Sequence, residues 1–296
     1  MAYLYIKPKT DFSDTKNLRL RIETEDPLFY GLKKLKIRGL ELSDLPLAVF
    51  NLVELEILDM SPEREACLNF RLVRVPKQIG RLINLQVLIL DTNELIELPR
   101  EICLLVNLER LALSNNNLSE LPVGFKSLQK LQSLHMANNN FQDFPMEICE
   151  IQNLGFLDMS DNGLQNLPEE ISNMKELHTL LLFYNRLETI PESICTMTSL
   201  HCLWLGNNFI RELPRDFGRL VNLDWDKRYV SSTLDGNPLT RPPLEICRMG
   251  PRAIDRYLTS SKSRMDPVRN NSWERNGISE EGEQDEEKED ATEKDW

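Results

Sequence analysis

The sequence lacks the apolar segments that a membrane or secretory protein needs. Nowhere do roughly 18 apolar residues follow one another, the run expected of a membrane-spanning helix. The first residues, "MAYLYIKPKTDF", contain no apolar run as long as that of a signal peptide. We therefore expect an intracellular protein without a membrane span. Its expected location is the cytoplasm, and the nucleus is also compatible with these features.

Positive charge is outnumbered by negative charge. The 47 Asp and Glu outnumber the 35 Lys and Arg, which gives a formal net charge of -12. Nucleic acids and anionic membrane surfaces both require clustered positive charge, so the composition argues against either as the main partner. The acidity is concentrated in residues 279–296, "SEEGEQDEEKEDATEKDW", which hold ten Asp or Glu and two Lys.

Motifs of enzymes and metal sites are missing too. The sequence contains no G-x-x-x-x-G-K-[ST], no G-x-G-x-x-G and no G-x-S-x-G. Its six cysteines include no C-x-x-C pair. His178 and His201 lie one repeat apart, and Cys202 follows His201 in the sequence. No carboxylate or cysteine is evident at the matching depth to serve as a third metal ligand. We predict a protein that is not an enzyme and that has no cofactor or metal.

What the sequence does contain is a repeat. Its unit reads L-P-x-x-I-x-x-L-x-x-L-x-x-L-x-L-x-x-N-x-L, as in "LPREICLLVNLERLALSNNNL" from Leu98. Degenerate copies around Pro46 and Pro243 bring the expected number of repeats to nine. The central prolines recur at intervals of 23 residues: Pro76, Pro99, Pro122, Pro145, Pro168, Pro191 and Pro214.

The pattern resembles the leucine-rich-repeat family over residues 31–258. Within that family it is similar to the intracellular 23-residue class of the Ras suppressor protein and Scribble-like scaffolds. The resemblance implies an α/β solenoid with a curved, concave parallel β-sheet and short helices or turns on the convex side. It also implies protein–protein interaction, as in signalling scaffolds linked to small GTPases or phosphatases.

The chemistry of the repeat agrees with this architecture. Leucines two positions apart in L-x-L point to one face of a strand, so the residues between them point to the other face. An asparagine follows each strand where the chain must turn, and its side chain can bond buried backbone groups there. These asparagines are Asn93, Asn116, Asn139, Asn162, Asn185, Asn208 and Asn237.

The segments outside the repeat differ in composition. Residues 1–30 are an N-terminal flank or cap, in which "NLRLRIE" alternates like a strand. The solenoid covers residues 31–243, and residues 244–260 have the apolar spacing of a closing helix. Residues 261–296 are nearly free of apolar residues, so we predict a disordered acidic tail.

Aligned strands place a group of large side chains on the concave face. Exposed neighbouring aromatic residues are typical of a binding surface, so this patch is the predicted contact site for a protein partner. The alternative is that a folded-back loop or the tail covers it. The patch consists of Phe156, Leu181, Phe183, Tyr184 and Trp204.

Further concave residues join the predicted site. His135 and Asp158 occupy equivalent positions on neighbouring strands, where a hydrogen bond would favour the protonated imidazole. Lys34, Lys36 and Arg38 make the first strand basic.

Insertions near residues 61–67 and 224–232 lengthen two repeats and are expected to form loops. The second insertion carries Trp225, Arg228 and Tyr229, which we expect either to contact the partner or to cover the patch.

Together these features predict a monomeric, non-enzymatic scaffold or adaptor in signalling that binds a protein on its concave face. A second hypothesis is a regulatory or targeting subunit of an enzyme, in which the acidic tail contacts a basic partner. The tail itself is either a solubilising segment or a docking strip, for a basic partner or for this chain's own Lys34, Lys36 and Arg38.

Overall fold

The structure, a computed structural model, describes residues 15–37, 46–62, 71–225 and 233–260. The predicted disorder of residues 261–296 concerns a segment outside these ranges. Arg38, Arg228 and Tyr229 also lie outside them.

The concave side is one parallel sheet whose strands follow the order of the chain. Each strand contributes a central leucine to the core, and equivalent repeat positions pair across the sheet, as Leu157 pairs with Leu180. The ninth repeat continues the ladder, because the amides of Leu205 and Asn207 donate to the carbonyls of Thr233 and Asp235. The strands are β1 (Lys34–Lys36), β2 (Ile57–Asp59), β3 (Val87–Ile89), β4 (Arg110–Ala112), β5 (Ser133–His135), β6 (Phe156–Asp158), β7 (Thr179–Leu181) and β8 (Cys202–Trp204).

Short 3₁₀ helices form the convex side. A proline stands immediately before six of these helices and three residues before the first residue of the two shortest, Phe125–Ser127 and Phe217–Arg219. Its carbonyl accepts from the amide three residues on, as Pro76 does from Ile79 at 3.0 Å. The following isoleucine or phenylalanine is buried in the core. The helices cover Leu47–Asn51, Lys77–Arg81, Arg100–Leu104, Phe125–Ser127, Met146–Glu150, Glu169–Asn173, Glu192–Thr196 and Phe217–Arg219.

The predicted row of turn asparagines is buried and joins adjacent repeats. Asn139 shows the pattern: its Nδ2 donates to the carbonyls of Leu113 and Met136, at 3.0 and 3.1 Å. Its Oδ1 accepts from the amide of Leu118 at 3.0 Å. One side chain therefore satisfies backbone groups of two repeats, which would otherwise be buried without partners.

A second asparagine row, which the sequence analysis did not single out, lies at the opposite end of the strands. Asn84, Asn107, Asn153 and Asn222 each donate to a carbonyl of the preceding repeat, at 2.7 to 2.9 Å. The recurring dipeptide Asn-Leu before the strand was the available signal.

The N-terminal flank caps the sheet, although not as the alternating pattern suggested. Residues Thr15–Arg19 form a helix, α1, that buries Leu18 completely, while Leu20 is 86% exposed. Of the flank residues that the structure describes, Glu23 adds to the sheet, through two antiparallel backbone hydrogen bonds of 2.8 Å with Lys34. The expectation that "NLRLRIE" forms a strand is therefore wrong. A strand would place Leu18 and Leu20 on the same face, but only Leu18 is buried.

The C-terminal cap consists of two helices rather than one. Helices α2 (Leu244–Cys247) and α3 (Pro251–Ser260) are separated by Gly250, whose φ of 93° is a conformation that glycine adopts readily. Helix α3 buries Ile254 and Leu258 against the last repeats.

Gly218 allows α3 to approach the solenoid. A Cβ on Gly218 would lie 2.3 Å from Cβ and 2.7 Å from Cα of Asp255 in α3. The equivalent repeat position holds Ser172 where no cap helix packs. The missing side chain at position 218 is thus a requirement of the cap.

Gly218→Ala should displace α3 and lower the free energy of unfolding by about 1–3 kcal/mol, the usual cost of overpacking. Urea unfolding measures the loss, and limited proteolysis should cut the variant within residues 251–260 first. Ser172→Ala, at the matching position, is the control and should behave as wild type. An unchanged urea midpoint for Gly218→Ala would contradict the packing argument.

Candidate functional site

Each repeat presents four concave positions: the first and third residues of its strand, and the second and third residues after the strand. In repeat β7 these are Thr179, Leu181, Phe183 and Tyr184. Because the sheet is parallel and in register, the same position in successive repeats forms a row across the face.

Three of the predicted aromatic residues are in contact on this face. The ring centre of Phe183 lies 5.7 Å from that of Tyr184 and 5.9 Å from that of Trp204. Both pairs are inclined, at 68° and 59°, as aromatic pairs prefer. We call Phe183, Tyr184 and Trp204 the aromatic cluster. Leu181 pairs with Trp204 in the sheet and lies beside the cluster, partly exposed.

Phe156 belongs to a separate contact. Its ring lies 4.6 Å from the His135 ring on β5 and contacts no ring of the aromatic cluster. Within the predicted patch, Phe156 thus stacks on His135 of β5 rather than on the rings of β7 and β8.

Tyr184 stands out for its backbone as well as its side chain. Its φ is 55°, in the left-handed region that asparagine and aspartate tolerate and tyrosine rarely adopts. Most residues of this row are suited to that conformation, and the row is Thr92, Asn115, Asn138, Asp161, Tyr184, Asn207 and Gly236. A tyrosine here costs on the order of 1 kcal/mol, yet the side chain is 57% exposed and adds nothing to the buried core.

The expected pairing of His135 with Asp158 is wrong. The two residues are aligned in the sheet, but Nε2 of His135 shares a hydrogen bond of 2.9 Å with Oγ of Ser133 instead. Burial, together with the nearby Arg110, lowers the pKa of His135 below its ordinary value, against a smaller opposing effect of Asp158. The imidazole is thus held neutral rather than protonated.

The basic character predicted for β1 is largely cancelled. Nζ of Lys34 lies 2.5 Å from Oδ2 of Asp26, and Nζ of Lys36 lies 3.4 Å from Oδ2 of Asp59. The Asp26 carboxylate belongs to the N-terminal flank, so repeat alignment did not reveal it. Lys34 and Lys36 therefore offer little uncompensated charge to an acidic tail.

Trp225 does not cover the aromatic cluster. It packs, half-buried, against the hydrophobic core and beside Gly250, where an added Cβ would lie 3.4 Å from its Cδ1. Trp225 thus supports the C-terminal cap rather than covering the patch, and its predicted contact with a partner stays a prediction.

Phe209 is an exposed aromatic residue that the sequence analysis missed. It lies two residues after Asn207, the neighbour of Tyr184 in its row, and is 56% exposed. Its amide donates to the carbonyl of Leu187 at 2.9 Å, which places it at the rim of the β7–β8 region. The residue between the turn asparagine and the next core residue always points outward, so alignment of "NNFI" could have identified it.

Three buried cysteines are packing residues. Burial raises the pKa of the Cys149, Cys195 and Cys247 thiols to about 12, so they are uncharged and poor nucleophiles at neutral pH. In the described ranges, no three His, Cys, Asp or Glu side chains converge as a metal site requires. The helices of the same ranges include none long and apolar enough to cross a bilayer.

Asp91 is a carboxylate on the concave face whose charged form is destabilised by burial. Burial raises its pKa to about 6, the nearby Asp59 adds to the rise, and a 2.7 Å hydrogen bond from the Ser114 amide opposes it. The folded chain binds this proton more tightly than the unfolded chain. The contribution of Asp91 to the free energy of unfolding is therefore greatest below pH 3.8 and is lost as the pH rises to about 6.

Asp91→Asn should stabilise the protein at pH 7.5 by up to about 3 kcal/mol, because the amide oxygen keeps the Ser114 hydrogen bond without the buried charge. The gain should shrink towards pH 4, as measured by urea unfolding across this range. Asp143→Asn, which neutralises an exposed carboxylate, is the control. A gain that is equal at both pH values would contradict the assignment.

Comparison with known proteins agrees with the geometry. A leucine rich repeat model matches residues 83–141, and a leucine-rich repeat region model matches residues 145–229. Comparison with curated proteins returns no match.

Several solved structures share the fold. A leucine-rich-repeat protein of Leptospira interrogans is 28% identical with a TM-score of 0.54, over 82% of this chain and 72% of that one. The plant peptide hormone receptor RGFR1, in complex with RGF2, is 26% identical with a TM-score of 0.54, over 70% of this chain and 31% of the receptor. The ectodomain of the receptor kinase GASSHO1/SCHENGEN3 from Arabidopsis thaliana is 24% identical with a TM-score of 0.57, over 76% and 30% of the two chains.

This chain thus spans less than a third of each plant receptor chain. The Arabidopsis comparison supports the fold alone. Repeat register, sheet topology and family matches agree: residues 83–141 and 145–229 match leucine-rich-repeat models, and the described chain has the leucine-rich-repeat fold.

Proposed function

We propose that this protein is a non-enzymatic scaffold or adaptor in intracellular signalling, and that it binds a protein partner on its concave face through the aromatic cluster. Leucine-rich-repeat folds generally mediate protein–protein interaction, which supports the class of function. RGFR1, a peptide hormone receptor with a similar fold, is itself in complex with RGF2.

The observation that carries the proposal is the aromatic cluster itself. Three aromatic side chains contact one another on the concave sheet, where Tyr184 is exposed and Phe183 and Trp204 are partly exposed. Tyr184 is also kept in an unfavourable backbone conformation. Strain at an exposed aromatic residue is characteristic of binding sites, because stability alone would select asparagine there.

The mechanism follows from the rigidity of the solenoid. The backbone beneath the aromatic cluster is fixed by the sheet and by the asparagine rows, so binding requires little ordering of this chain. Large aromatic side chains that are already positioned supply most of the binding energy of such interfaces.

Phe183→Ala combined with Trp204→Ala should abolish recovery of the partner, because two of the three anchors are lost. Affinity purification with mass spectrometry, compared with wild type, measures the effect. The fold should persist, since Leu180, Leu182 and Leu203 remain in the core. Circular dichroism and the melting temperature test this point.

Tyr30→Ala is the matched control for that experiment, because Tyr30 is 83% exposed but lies in the N-terminal flank. Recovery of the same proteins by the double variant and by wild type would refute the proposed site. A chain lacking residues 261–296 tests the second hypothesis, in which the tail holds the partner.

Tyr184→Asn separates binding from folding. Asparagine suits the left-handed conformation, so the free energy of unfolding should not fall and should rise by up to about 1 kcal/mol. Partner recovery should decrease, because the exposed ring is lost. Urea unfolding and the same affinity purification give the two readings, and a destabilised variant or an unchanged recovery would disagree with this account.

A further inference from the structure

We propose that the segment bound at the aromatic cluster pairs an arginine or lysine with a neighbouring apolar residue. This inference rests on the proposed function and concerns the chemistry of the partner. Its basis is a pair of carboxylates, Asp158 and Asp161, that border the cluster and form no ion pair within the described part of the chain.

Asp158 lies on the strand next to the cluster. It is aligned with Leu181 on β7 on one side and with His135 on β5 on the other, and it is partly exposed. Its Oδ1 accepts from the Ser160 amide at 3.0 Å, which orients the carboxylate. Among the described residues it forms no ion pair.

Asp161 borders the cluster at the ends of the strands. It precedes Tyr184 in the left-handed row, and its amide donates to the carbonyl of Phe183 at 2.9 Å. The side chain is exposed and has no ion-pair partner in the described part of the chain. Two carboxylates thus lie along the same side of the aromatic cluster.

No described cation pairs with these two carboxylates, although Arg110 on β4 lies near His135. From β5 onward, the charged residues at the described concave positions are Asp158, Asp161 and Asp235. Asp235 alone has a cation, with Nη2 of Arg248 3.3 Å from its Oδ1. His135 is neutral because burial lowers its pKa. The β1 end differs, since Lys34 and Lys36 are paired there with aspartates.

A cation flanked by an apolar side chain satisfies both parts of this surface. A guanidinium or ammonium group can lie against an aromatic face while donating to a carboxylate at its edge. An adjacent apolar side chain would cover Leu181 and Phe183. The chain's own residues 279–296, with ten acidic side chains, would be repelled by Asp158 and Asp161, so the charge argues against this tail as the occupant.

The test selects ligands from a displayed library of random dodecapeptides on the immobilised full-length protein. Peptides with Arg or Lys next to an apolar residue should be enriched. Synthetic copies of the enriched peptides should bind Asp158→Asn/Asp161→Asn about tenfold more weakly than wild type, and the difference should shrink at high salt. Both substitutions preserve the fold, since asparagine keeps the Ser160 hydrogen bond and is the common residue of the left-handed row.

Asp143→Asn/Glu188→Gln removes two exposed carboxylates outside the concave positions and should leave the affinity unchanged. Enriched peptides without basic residues, or basic peptides that bind Asp158→Asn/Asp161→Asn as tightly as wild type, would overturn the inference. A selection that yields no ligand also counts against it.

The proposed function is judged separately. One outcome is that the selected peptides fail to bind Phe183→Ala/Trp204→Ala and yet contain no enrichment of Arg or Lys. Such peptides would support the aromatic cluster as the binding site and reject the inferred basic residue of the partner. Peptides that bind this double variant normally would reject both.

Discussion

The buried row of turn asparagines is the interaction on which the rest of the structure depends. From β3 onward, each strand is followed by a sharp turn whose carbonyls and amides are buried. The side chains of Asn116, Asn139 and their equivalents satisfy these groups and bridge to the next repeat. Because each bridge has the same geometry, consecutive strands can pair only in one register.

That register decides what the concave face can do. It brings Leu181 beside Trp204 and Asp158 beside Leu181 without any loop that must fold first. It also forces the residue before each turn asparagine into the left-handed region. Tyr184 occupies such a position, so the same geometry that stabilises the stack puts strain on the proposed binding site.

The repeat could be predicted from the sequence because its determinants are local. Leucine spacing and the turn asparagines identify the strands, and alignment places Phe183, Tyr184 and Trp204 on the concave face. Side-chain directions and contacts from outside the repeat were not predictable in this way. Phe156 turns towards His135 and Lys34 is neutralised by Asp26, neither of which follows from alignment.

The ends of the chain show the same limit. "NLRLRIE" is too short for its alternation to distinguish a strand from a helix, and packing of Leu18 decides in favour of the helix. Trp225 follows the last regular repeat, where the pattern gives no position, and packing beside Gly250 decides its place.

The alternation of core and concave positions along each strand has an evolutionary consequence. A substitution at a concave position changes the surface seen by a partner and leaves the leucines on either side of it in place. Selection for a new partner and selection for folding therefore act on different residues of the same three-residue strand. A solenoid of this kind can diversify its recognition surface one repeat at a time while the scaffold remains constant.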